Sequence, residues 1–270
     1  PYMTDRIKQF LPAIILGLVV LVLVGWYMIS VPAPVQAPST GTPAATTTEP
    51  AKINEDATYY TVDATYPTTT TLSTSAGVGA DQAAVTAMKT FVEQEIARFK
   101  DNGNFANLSH DDIQMQGLDQ RKYALGIEYT VHESKGTLSY VYQMYADTGG
   151  AHPNTYYRTF TFDKASGAVL ELGDVFVPNA PYLQTLSDKA RSMLPPMIAK
   201  MVDAEVSAVD IDYIKSGTLP EEDAFQSFYF EGSNLVLLFP PYQVGPYVLG
   251  MILLPIPTNE LKDLRPAYAK

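Results

Sequence analysis

Apolar positions along this chain fall into three patterns, and the changes between them divide it. From Phe10 to Ile29 twenty residues pass without a charge. As a helix rising about 1.5 Å per residue, that run covers about 30 Å, the thickness of a hydrocarbon core. From Val31 to Asp56 periodicity disappears. V-P-A-P-V-Q-A-P-S-T-G-T-P-A-A-T-T-T-E-P is rich in Pro, Thr and Ala and too poor in apolar residues to offset its ordering entropy. From there on, stretches of period two and of helical period alternate.

Tyr60, Val62, Ala64 and Tyr66 alternate with Thr61, Asp63 and Thr65 and predict a first strand, ended by Pro67. Asp81 is the expected cap of a helix with Ala84, Val85, Met88, Phe91, Val92, Ile96 and Phe99 at helical spacing, stopped by Asn102-Gly103-Asn104. A meander follows: Tyr123 to Val131, a turn at Ser134 to Gly136, and Thr137 to Met144. The double glycine Gly149-Gly150 then supplies a tight corner, and Thr155 to Asp163 is a further strand. Val169 to Leu172 is expected as a short strand. Ala180 to Glu205 reads as helix, kinked or split at Pro195-Pro196 because neither residue donates an amide hydrogen. Leu219 to Phe239 reads as a hairpin with its turn at Glu231 to Asn234. Tyr247 to Ile256 is a last strand, and Glu260-Leu261 begins a helical turn.

The pattern predicts an α+β fold: a mostly antiparallel sheet with helices packed on it, preceded by one transmembrane helix. Residues 1–9 are then a short cytoplasmic end, 10–29 the membrane span and 30–56 a Pro/Thr-rich tether. Residues 57–270 form the extracytoplasmic part, with segments 57–167 and 168–266. Arg6 and Lys8 precede the apolar run and no Lys or Arg follows it before Lys52, which places the amino end inside. Val35-Gln36-Ala37 loosely fits a signal-peptide cleavage site, but the length of the run and the following Pro38 favour a retained anchor.

Charge and composition narrow the partners. The 270 residues carry a net charge of -11, which disfavours nucleic acid and suits a basic protein. Without cysteine, neither disulfides nor thiolate chemistry is available. His110, His132 and His152 lie far apart with no metal-ligand spacing, so no metal or cofactor is expected. Asp111-Asp112, Asp210-x-Asp212 and Glu221-Glu222-Asp223 read as solvated charge, and Asp101-Asn102-Gly103-Asn104 places its glycine wrongly for an EF-hand. His152 has no identifiable Ser or Cys partner, and its place beside a glycine turn suits a ring hydrogen-bonded to backbone. The enzyme reading requires His152 to meet a carboxylate.

The 18 tyrosines stand out, because tyrosine joins apolar area to a hydroxyl in recognition surfaces. Pro240-Pro241-Tyr242-Gln243-Val244-Gly245-Pro246-Tyr247 sets two tyrosines among rigid prolines. It reads either as a binding lip or as a structural corner of packed rings.

G-G-A-H-P-N-T-Y-Y-R-T-F-T-F-D at 149–163, L-E-L-G-D-V-F at 170–176, F-Y-F at 228–230 and F-P-P-Y-Q-V-G-P-Y-V-L-G at 239–250 resemble successive signatures of one family. It is the extracytoplasmic module of RsiV-type anti-sigma factors and of PdaC-type peptidoglycan deacetylases, and the likeness spans about Tyr59 to Leu264. In the former the module is a sensor that binds lysozyme. In the latter it accompanies a separate deacetylase domain. The resemblance implies a bacterial, single-pass envelope protein whose partner is a lysozyme-like basic protein or peptidoglycan. On that footing His152, Asn154, Tyr156, Tyr157, Pro241, Tyr242, Pro246 and Tyr247 are the candidate contact residues. The contrasting expectation is a glycan deacetylase or hydrolase acting through His152 and a carboxylate.

Overall fold

The computed structural model describes residues 49–269, so the expected membrane span at 10–29 and most of the expected tether lie outside the described residues. Among the described residues, no helix is long and apolar enough to cross a membrane. The fold is α+β with mostly antiparallel pairing.

Five strands, β1 (Ala51–Asp56), β2 (Tyr60–Tyr66), β3 (Tyr123–Glu133), β4 (Thr137–Asp147) and β5 (Asn154–Asp163), lie side by side in chain order. All neighbours are antiparallel except β2 and β3, which run parallel because the crossover between them contains the main helices of this half. These are α1 (Leu72–Ser75), α2 (Val78–Gly103) and α3 (His110–Met115). Ala84, Met88, Val92 and Ile96 of α2, four residues apart, pack on Val62, Leu125, Ile127, Tyr142, Met144 and Phe162. That sheet and helix form the first lobe.

The second lobe holds a three-stranded antiparallel sheet of β6 (Phe228–Glu231), β7 (Asn234–Phe239) and β8 (Ile252–Pro257), with α4 (Tyr182–Met201) and α5 (Ile211–Gly217). Leu186, Ala190, Leu194 and Ile198 of α4 bury against Phe228, Phe230, Leu235, Leu237, Phe239 and Leu254. The strands' opposite side chains, Tyr229, Val236 and Leu238, meet Val141 of β4. The order of layers is therefore helix, sheet, sheet, helix. Small hydroxyl side chains let the sheets meet closely. Thr161 donates to Phe228 O at 3.0 Å, Phe228 N donates to Thr159 Oγ1 at 3.2 Å, and Ser139 lies 3.1 Å from Thr161 Oγ1. Two threonines of β5 thus satisfy backbone groups on the unpaired edge of β6.

Five local expectations change. Ala51–Asp56, placed in the tether on composition, is an edge strand whose Ile53 packs on the first core. Asp81 does not cap α2, which starts at Val78 after Gly77. It is buried in the first turn and accepts from the hydroxyls of Thr69 (3.1 Å) and Thr70 (2.7 Å), pinning the segment before α1. Near a helix start a carboxylate also meets the positive end of the helix dipole. Pro195 and Pro196 lie inside α4 instead of splitting it, with Leu194, Pro195, Ile198 and Ala199 all buried. Burial of that face offsets the two missing amide donors. Finally, Tyr247–Leu249 is a 3-10 turn and β8 begins only at Ile252, while Val169 makes just an isolated bridge to Phe162.

Candidate functional site

The site begins with the turn after β7. Gln243 N donates to Pro240 O at 3.1 Å, closing a four-residue turn with Pro241 second and Tyr242 third. Tyr242 has φ +72°, so this is the type II pattern, whose third position ordinarily takes Gly or Asn. A tyrosine held there costs about 1–3 kcal/mol of backbone strain and persists only where its surroundings fix it. The Gln243 side chain does this, donating to Gly217 O (2.9 Å) and Ala224 O (2.8 Å). Val244 is buried beneath, and a Cβ added to Gly217 would lie 1.7 Å from Gln243 O, so only glycine lets the loop approach α5. Pro246 opens the Tyr247–Leu249 turn, and Leu249 N donates to its carbonyl at 3.0 Å. The loop is thus fastened from below, and Tyr242 is left 54% exposed.

Across from it stands the β4–β5 corner. Gly149 adopts φ +82°, and its N–H donates to Asp147 Oδ1 at 3.1 Å. The His152 ring stacks on Tyr247 with centroids 4.0 Å apart and planes at 21°. Pro153 O accepts from both the Tyr247 hydroxyl (3.0 Å) and His152 Nδ1 (3.1 Å). A carbonyl only accepts, so Nδ1 carries a proton, and Nε2 lies in hydrogen-bond contact with the Tyr242 hydroxyl at 3.2 Å. Tyr242 and Tyr247 lie 5.5 Å apart. Two segments about ninety residues apart in sequence thus build one aromatic face.

The eight expected contact residues divide accordingly. His152, Tyr242 and Tyr247 converge, and Pro241 and Pro246 shape the loop that holds them. Tyr157 adjoins them. It is half-buried, and burial first, then the charges of Tyr247 and Glu128, push its hydroxyl above the ordinary tyrosine range. Tyr156 leaves the group: it faces α2, and its hydroxyl donates to the buried Glu95 at 3.0 Å, with Arg98 2.7 Å from the same carboxylate. Asn154 opens β5 opposite Ala146, exposed and outside the stacked rings. Sequence reasoning missed Gln243 and Pro153, which position the rings through backbone contacts that no spacing reveals. The left-handed Tyr242 was signalled by Pro-Pro-Tyr, a proline-led turn without its glycine.

His152 makes no hydrogen bond to a carboxylate among the described residues, so the pair required by the enzyme reading is not formed. No group of three or more His, Cys, Asp or Glu able to hold a metal occurs among the described residues. An open cavity of about 370 Å³ lies elsewhere, between Tyr60, Lys100, Phe105 and Asn107 at the end of α2.

Comparison with known proteins divides the chain along the same lines. Residues 53–155 match the family described as deacetylase PdaC, and residues 173–259 match a protein family of unknown function, DUF3298. The chain is 31% identical over 179 residues to the peptidoglycan-N-acetylmuramic acid deacetylase PdaC of Bacillus subtilis (strain 168). The match covers 66% of this chain and 35% of the relative, so the chain spans about a third of that protein's length. Two crystal structures share the fold. A DUF3298 family protein of Pseudomonas aeruginosa PAO1 has a TM-score of 0.53 at 16% identity, over 82% of this chain and 95% of that one. A DUF3298 member from Bacteroides fragilis NCTC 9343 has a TM-score of 0.50 at 18% identity, over 80% and 92%.

Proposed function

Since residues 53–155 form a PdaC-type module and a DUF3298 part follows it, we propose that this chain is a binding module of the bacterial cell envelope and that its ligand is the glycan of peptidoglycan. The observation that carries the reading is the exposed His152–Tyr242–Tyr247 face, held in place by a left-handed tyrosine. Sugars bind by laying their C–H faces on aromatic rings while hydroxyl and amide groups take directional hydrogen bonds. This face offers the rings, with the oxygens of the two tyrosine hydroxyls left to accept. The peptidoglycan in the relative's name supports the same ligand class. An anchor at residues 10–29 and a tether after it would hold the module outside the membrane.

Binding, not bond-breaking, is the role the geometry favours, because both nitrogens of His152 are occupied by Pro153 and Tyr242. The net charge of -11 favours a second reading, capture of a lysozyme-like basic protein. Calorimetric titration of the full chain with soluble peptidoglycan fragments, and separately with hen lysozyme at two salt concentrations, tests both. Saturable glycan binding that Tyr247→Ala weakens about tenfold or more supports the main reading. Glycan silence with tight, salt-sensitive lysozyme binding would replace it with the second.

A further inference from the structure

The face of the first sheet turned away from α2 is only half covered. The second lobe lies over Val141, Thr159, Thr161 and His132. The other half carries two rows set by strand register: Asp63, Gly126, Tyr145 and Thr155, then Glu128, Gln143 and Tyr157. Gly126 has no side chain, so its cross-strand partner Tyr145 stands uncovered at 42% exposure. Strands about 4.8 Å apart, with same-face residues about 7 Å apart along each, set Glu128 diagonally beside Tyr145, while Gln143 stands between Glu128 and Tyr157. Tyr157, half-buried against Val141, Tyr229, Val236 and Leu238 at the edge of the second lobe, lies between this surface and the aromatic cluster, and the charges of Tyr247 and Glu128 both act on its hydroxyl. Glu128 and Asp63 are exposed and form no ion pair among the described residues. Lys52 stands on the same face two strands from Glu128 across Thr65, as Tyr157 does on the other side across Gln143, and forms no ion pair with Glu128 among the described residues.

A carboxylate beside an open aromatic ring is suited to an ammonium group, by charge from the first and by cation–π attraction from the second. An N-acetylated sugar carries no such group. Hydrolysis of the acetamide, with water adding across the C–N bond and acetate leaving, frees an amine that takes up a proton. We propose that Glu128, beside the open ring of Tyr145, selects de-N-acetylated sugar units, so that this module binds the product of glycan deacetylation in preference to its substrate. The inference rests on the glycan reading above and adds the chemical state of the glycan. It places the module after an amide hydrolysis at an amino sugar.

The test titrates the full chain with a glucosamine tetrasaccharide and with its fully N-acetylated counterpart at the same pH and salt. The amine form is expected to bind on the order of tenfold more tightly, the size of one charge-assisted contact. Glu128→Gln should bring that ratio near one, while removing a carboxylate on α3, Asp111→Asn, should leave it unchanged. Equal or tighter binding of the N-acetylated form overturns the inference and leaves the glycan reading standing. A ratio that falls equally in both variants reduces the preference to bulk charge and overturns it too. Binding of neither sugar overturns the inference and leaves the glycan reading to the titration with peptidoglycan fragments.

Discussion

The two lobes use the same plan, one long helix across one sheet, and fill it with different chemistry. The first core buries Tyr123, Tyr140 and Tyr142 along with the carboxylates of Asp81 and Glu95. Leu and Phe dominate the second core, no tyrosine is fully buried there, and the buried polar residues of that lobe are the small Ser187, Thr218 and Thr258. Ser187 donates to Thr218 O at 2.6 Å and Thr218 to Ile214 O at 2.7 Å, so these hydroxyls are satisfied locally. In the first core the Tyr142 hydroxyl is buried with no partner. One core is specified mainly by shape with a few local hydroxyl bonds, the other by shape plus buried charges and tyrosines, of which the Tyr142 hydroxyl goes unpaired.

The largest effect that separates the lobes is a cavity in each. Phe239→Ala and Phe162→Ala each remove a fully buried ring and should cost about 3–5 kcal/mol. If the sheets unfold together, chemical denaturation followed by circular dichroism shows one shifted transition for either variant. Two transitions, each moved by its own variant, would break the comparison into independent domains.

Alkaline pH should act on one lobe first. Burial pushes the hydroxyls of Tyr129, Tyr140, Tyr142 and Tyr156 above the ordinary tyrosine range, and Tyr229 at the sheet–sheet contact likewise. A raised folded-state value means stability that is complete below about pH 10 and lost as pH rises beyond the unfolded tyrosine value. Hydrogen exchange between pH 9 and 11 should therefore show β3 and β4 opening before β7. Opening of β7 first would contradict the assignment. At the acid end, Asp163 lies below the usual carboxylate range: burial raises it, but hydrogen bonds from Ser166, Tyr268 and Ala165 outweigh that. Its contribution is present above the ordinary carboxylate value and fades as pH falls through its lowered one. Wild type should lose more melting temperature than Asp163→Asn between pH 5 and 3.

Polar removal is a smaller effect. Glu95→Ala strips Tyr156 of its acceptor and should cost about 1–3 kcal/mol by urea denaturation, against about 0.5–1.5 for Ser187→Ala. The smallest change in stability should come from Tyr242→Gly, which relieves the left-handed backbone and should be neutral or stabilising by about 1 kcal/mol. Its affinity for peptidoglycan fragments should fall all the same. A variant both less stable and still binding would make the loop a corner and not a contact surface.

What was legible beforehand follows from how local each cause is. The alternation of Leu138, Tyr140, Tyr142 and Met144 with Thr137, Ser139 and Val141 marked a strand, and the structure keeps it, but the second sheet buries the alternate positions too. The same rule should have excluded pairing Tyr156 with Tyr157 in one site, since successive strand residues face opposite ways. β1 was hidden because A-K-I-N-E-D carries a single strongly apolar residue, and only the edge of β2 makes it a strand. Parallel pairing of β2 and β3 depends on where α2 carries the chain, and the meeting of His152 with Tyr247 depends on both sheets being stacked. No window of sequence contains those causes.

Gly217 has a consequence best put in terms of inheritance. It touches no ring of the aromatic face and lies at the end of an unremarkable helix, yet any other residue there would drive a Cβ into Gln243 O. A single altered codon at that position should leave both cores filled and the protein abundant, while the Tyr242 turn is pushed off its two carbonyl supports. In a population of variants sorted by binding, position 217 should stand out as a silent-looking site of lost recognition.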